Sequence, residues 1–184
     1  MAGVAGPMLR RSRAAGARFL AGLLAGGAAG ALVLALPVYL LGMLAGLLPQ
    51  SARLVILLVT CALLGLADLS GRTPHMWRQV PQQLVNRLPP GALGLAWGFD
   101  LGLMVTTQKT TSLIWGTIAA VVLLRPSLAA PALVGIATVA TLTVVLFSAG
   151  GIEPEARRSK RWLMYARRSS GAVMLTALLA GLLA

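Results

Sequence analysis

Residues 19–48 read FLAGLLAGGAAGALVLALPVYLLGMLAGLL, and no Asp, Glu, Lys, Arg or His occurs from Phe19 through Ala52. As a straight α-helix these 30 residues would reach about 45 Å, against a bilayer hydrocarbon core of about 30 Å. The run must therefore tilt, kink or divide. Pro37 is the expected break, because it removes a backbone donor and its ring crowds the preceding turn. Pro49 ends the run.

The remaining sequence repeats this character. Leu54–Ala67 and Pro126–Ile152 are also free of those five residue types, and of 184 residues 58% are hydrophobic and only 11% charged. A soluble domain carries about 25% charged residues, because something must face water. The net charge is +12. Arg10, Arg11, Arg13 and Arg18 precede the first apolar run, and Arg157, Arg158, Lys160, Arg161, Arg167 and Arg168 flank the last. Those are membrane-flank positions, where basic residues fix topology and touch anionic headgroups. They speak against a nucleic-acid partner and for the lipid bilayer. The basic start resembles a secretion signal, but the apolar stretch outruns a signal core of about 7–15 residues; a retained first span is expected.

The fold class expected is an all-α membrane protein, a polytopic bundle of five or six transmembrane segments. A basic tail covers 1–17 and a single transmembrane domain 18–184, with spans near 19–48, 53–69, 91–106, 110–124, 127–149 and 163–184. Residues 71–90 form a polar loop with Pro74, Pro81, Pro89 and Pro90. Within it, Met76–Leu88 reads as a short surface helix with Trp77, Val80, Leu84 and Leu88 toward lipid. Charge bias tests the count: six simple crossings from a cytoplasmic N-terminus leave the basic 157–168 block outside, against the positive-inside tendency. Either 91–124 makes one net crossing or 19–52 folds back at Pro37. The parity stays open.

Gly22, Gly26 and Gly30 recur every fourth residue, and Gly94, Gly98 and Gly102 do the same. Such residues share one helix face and let a neighbouring backbone come close. Each set opens a weakly charged stretch interrupted near its middle, which suggests two related halves with broken helices, a plan used by transporters. Helix packing alone also accounts for both sets.

Asp100 lies among Trp97, Phe99, Leu101 and Leu103, and a carboxylate at membrane depth costs about 2.5–3.5 kcal/mol or more unless paired or hydrated. It is the leading candidate for an ion or substrate site, with a structural pair as the plainer alternative. Thr106, Thr107, Gln108 and Lys109 either form a surface turn or line a cavity where a span unwinds. Asp68 stands four residues before Arg72, a spacing for a local helix-end pair. His75 has no second histidine and Cys61 no second cysteine, so no metal site or disulfide is expected. Trp77, Trp115, Trp162 and Tyr165 read as interface anchors. With no catalytic motif present, neither an enzyme nor a cofactor is expected.

The segment WRQVPQQLVNRLPPGALGLAWGFDLGLMVTTQ, Trp77–Gln108, resembles actinobacterial membrane proteins. Those look like the transmembrane domain of the cytochrome c biogenesis and thiol-disulfide interchange family; LALPVYLLG, residues 34–42, shares a general likeness. The resemblance implies two three-helix halves, helix-breaking prolines and passage of reducing equivalents across the membrane. The paired redox cysteines of that family are missing here, and Cys61 lies outside either broken span, so a dithiol relay is ruled out. The expected function is a multi-pass cell-membrane carrier of a small solute or ion. The alternative is a non-catalytic subunit or assembly factor, docking a membrane-protein partner or a second copy through its glycine faces.

Overall fold

The computed structural model describes residues 12–72, 82–104, 111–149, 164–166, 168–173 and 175–176. Every regular element among them is helical. The long helices are α1 (Arg13–Ala45), α2 (Gln50–Leu69), α3 (Pro90–Gly102), α4 (Leu113–Leu124) and α5 (Ala129–Ala149), and short 3₁₀ turns cover Gln82–Asn86 and Pro126–Leu128. The described residues between 164 and 176 are helical as well. Among the described residues three stretches are long and apolar enough to cross a membrane: Arg13–Ala45, Gln50–Leu69 and Pro126–Thr143. The expected spans 91–106 and 110–124 appear as α3 and α4, of 13 and 12 residues. At 1.5 Å per residue each reaches only about 20 Å, short of a hydrocarbon core.

The chain forms two compact units that interleave along the sequence. The first comprises residues 1–36, 77–107 and 130–153, and the second 37–76, 108–129 and 154–184. This differs from an arrangement of two sequential halves joined by the 71–90 loop. Helix α1 runs unbroken through Pro37, yet the boundary between the units falls between Leu36 and Pro37. Proline leaves the carbonyl one turn earlier without its donor, so this is the weakest point in the helical ladder.

In the first unit, Phe19, Leu23, Leu93 and Trp97 form a buried cluster, with Leu20, Leu84, Val85 and Leu88 packed against it. Phe19 and Trp97 meet edge to face, centroids 5.9 Å apart, a favourable arrangement of ring quadrupoles. Leu84 and Leu88 thus pack against protein, and the expected lipid-facing surface helix is corrected on that point. The prolines at 89 and 90 start α3 immediately afterwards, which turns the preceding residues back onto the cluster; Trp77 and Val80 lie outside the described residues.

Both glycine series belong to this unit, and they pack on one another. A Cβ added at Gly22, Gly26 or Gly30 would collide with the carbonyls of Gly91, Leu95 and Phe99. One added at Gly94, Gly98 or Gly102 would collide with those of Phe19, Leu23 and Gly27. The series are therefore the two complementary sides of one α1–α3 contact, made by backbones meeting where no side chain intervenes. Leu133, Ala137 and Thr141 supply the buried face of α5, and Thr141 satisfies its hydroxyl on the Ala137 carbonyl at 2.9 Å.

Outward faces are greasy. Leu36 and Leu44 on α1 and Leu63 on α2 are each 63% exposed, and Val139 on α5 is 64% exposed. A water-facing bundle of this size would not carry so many apolar side chains on continuous faces.

Candidate functional site

Among the described residues the most buried ionic side chain is Asp68, in the last turn of α2 and 1% exposed. Ser112 donates to it twice, from its backbone N–H at 2.8 Å and from its hydroxyl at 2.6 Å, and the Ser170 hydroxyl donates at 2.8 Å. Both serines are buried. All three residues lie in the second unit, where the carboxylate joins α2, the start of α4 and the C-terminal helical residues.

Local sequence explains how Asp68 comes to this point. Gly71, at φ 74°, ends α2 in a Schellman turn: its N–H donates to the Asp68 carbonyl and that of Arg72 to the Ala67 carbonyl, at 3.1 and 2.8 Å. A left-handed residue at this position favours glycine. The turn takes Arg72 off the helix, so its four-residue spacing from Asp68 is no helical repeat. Asp68 accepts long-range bonds from Ser112 and Ser170. Close packing on the other side permits the reach. A Cβ at Gly171 would come within 2.8 Å of the Gly65 carbonyl oxygen, and that proximity lets the short Ser170 side chain bridge to Asp68.

Helix α4 carries no acidic residue in its first turn and no basic residue in its last, and Ser112 makes no side-chain cap. Both ends are served by α2. Asp68 accepts the N–H at the start of α4, while Arg53 Nη1 donates to the Leu123 carbonyl at its end, at 3.3 Å. Since α2 and α4 pack together, this arrangement makes them antiparallel. The fifteen steps from Arg53 to Asp68 span about 22 Å and the eleven from Ser112 to Leu123 about 17 Å; the long arginine side chain takes up the difference. A negative group at the amino end and a positive one at the carboxyl end both oppose the helix dipole, each contributing about 0.3–1 kcal/mol and up to about 2 when partly buried.

Asp100 is half-buried in the first unit, two residues before α3 ends. Beyond it Met104, 1% exposed, holds φ 52°, a conformation that costs a branched or long side chain about 1 kcal/mol or more. Thr106, Thr107, Gln108 and Lys109 lie outside the described residues, as do His75 and Trp162. Trp97 Nε1 is buried without a hydrogen-bond partner among the described residues. No group of three or more metal-ligating side chains occurs among the described residues.

Sequence reasoning singled out Asp100 and missed the Asp68–Ser112–Ser170 cluster. The available signal was the pair Arg53 and Asp68, the two charges that bracket the apolar part of α2, beside a later helix with no acidic residue in its first turn and no basic residue in its last. Taken together, the described residues form an all-helical arrangement with three membrane-length apolar helices, two shorter helices and a buried carboxylate cluster. Compared with known protein families, curated proteins and solved structures, the chain matches none.

Proposed function

We propose that this chain is a multi-pass protein of a bacterial cell membrane that carries a small solute or ion, rather than an enzyme. The carrying observation is the pair of half-length apolar helices. Neither α3 nor α4, at 13 and 12 residues, is long enough to cross a bilayer alone, which supports reading them as two parts of one span interrupted at membrane depth. Irregular backbone at that depth is tolerated where it lines a cavity, and carriers place substrate sites at such interrupted helices. On this reading Asp100, half-buried just before the interruption, offers the charge, and Thr106, Thr107, Gln108 and Lys109 the accompanying polar groups. The Asp68 cluster anchors α4, the element that resumes after the break.

The assembly-factor reading relied on glycine faces open to a partner. Those faces meet each other in the first unit, so docking would need another surface.

The test uses proteoliposomes containing the full chain and a pH-sensitive dye, challenged with a panel of monovalent cations, small anions and zwitterions. A responding solute identifies the cargo, and Asp100→Asn then lowers its uptake at least about tenfold, the effect of ~1.4 kcal/mol, with folding intact. Uptake unchanged in Asp100→Asn, or no response to any member of the panel, refutes the proposal.

A further inference from the structure

We propose that the groove between α2 and α4 binds a bilayer phospholipid with an anionic headgroup, one acyl chain lying in the groove and the phosphate on Arg53 and Arg125. Ile56, Thr60 and Leu64, one helical turn apart on α2, face Trp115, Ile118 and Val122 of α4 across an open space of about 540 Å³. That volume falls within the range of small-ligand sites. All of it belongs to the second unit.

An apolar groove alone selects nothing in a bilayer, because an acyl chain gains no hydrophobic stabilisation by moving from its neighbours onto leucine. Selection has to come from the polar end. There, Leu123 forms part of the groove wall, and its carbonyl accepts a hydrogen bond from Arg53. The Nε of the same guanidinium is buried with no hydrogen-bond partner among the described residues. Arg125 follows two residues later, exposed, at the end of α4. Neither arginine meets a carboxylate among the described residues. A phosphate has the charge to pair with both arginines, and guanidinium forks match phosphate geometry.

This site requires only that the chain lies in lipid and is independent of the carrier reading. The experiment reconstitutes the full chain into vesicles of phosphatidylglycerol and phosphatidylcholine in equal amounts. The protein is then extracted gently, and retained lipid is counted by native mass spectrometry. About one phosphatidylglycerol per chain is expected, enriched over phosphatidylcholine at least about fivefold, since one basic residue near an anionic lipid is worth roughly that factor. Arg125→Gln, a surface change, lowers the enrichment about fivefold, and Thr60→Trp, which fills the groove, reduces retention of both lipids. Equal retention of the two lipids in the wild-type chain, Arg125→Gln without effect, or a chain dimer in place of retained lipid overturns the proposal.

Discussion

Replacing Asp68 tests how the second unit is held together, and two substitutions separate the contributions. Asp68→Ala removes the acceptor of three hydrogen bonds. The two hydroxyls can rotate toward carbonyls one turn back, as Ser169 already does toward Ala166 at 3.1 Å. The Ser112 N–H cannot rotate, and leaving it buried and unpaired costs about 1–3 kcal/mol. Loss of the anion at the start of α4 adds up to about 2 kcal/mol. The total is about 1–5 kcal/mol. Asp68→Asn retains an oxygen for the Ser112 N–H and the Ser170 hydroxyl, and its amide can donate to the Ser112 hydroxyl, which reverses its role. The charge is lost, at about 1–2 kcal/mol. Reversible unfolding in mixed micelles, titrated with dodecyl sulfate and followed by tryptophan fluorescence, measures both. The reasoning fails if Asp68→Ala lies within about 0.5 kcal/mol of wild type, far below the cost of an orphaned donor. It also fails if Asn is as damaging as Ala, because hydrogen bonding would then not be what Asp68 supplies.

Other outcomes follow from the same geometry. Gly98→Ala forces a methyl onto the Leu23 carbonyl and to 2.9 Å from the Gly27 nitrogen, so the α1–α3 contact must open, with a loss of about 1–3 kcal/mol or more in the same titration. Gly135→Ala meets nothing within 4 Å and should stabilise α5 by about 0.5–1 kcal/mol; equal effects at the two positions would contradict the packing. Arg53→Met keeps the length of the side chain and loses its bond to the Leu123 carbonyl, lowering stability by about 1–2 kcal/mol. Hydrogen exchange should show the loss as faster exchange in the last turn of α4, and exchange unchanged there would refute the capping role.

The helical class and the apolar stretches were legible in the sequence because they depend on local composition: runs of leucine, alanine and valine, with prolines and charges at their ends. Helices α1, α2 and α5 lie close to the first, second and 127–149 apolar stretches. Helix α1 starts at Arg13, ahead of its apolar run, because arginine is a good helix former and does not stop a helix by being charged. The glycine spacing correctly marked two close-packing faces. Periodicity cannot say what a face touches, however; the structure shows that each series is the other's partner. The site was less accessible still. Ser112 and Ser170 lie 44 and 102 residues from Asp68, and nothing in their own neighbourhoods sets them apart from other serines. Sequence by itself determined which segments are helical and suited to lipid, since that is settled residue by residue against the solvent. Tertiary structure alone decided which glycine face meets which, and that α4 takes its end charges from α2. Both depend on backbones brought together across long separations, where hydrogen bonds and van der Waals contact act only within a few ångströms.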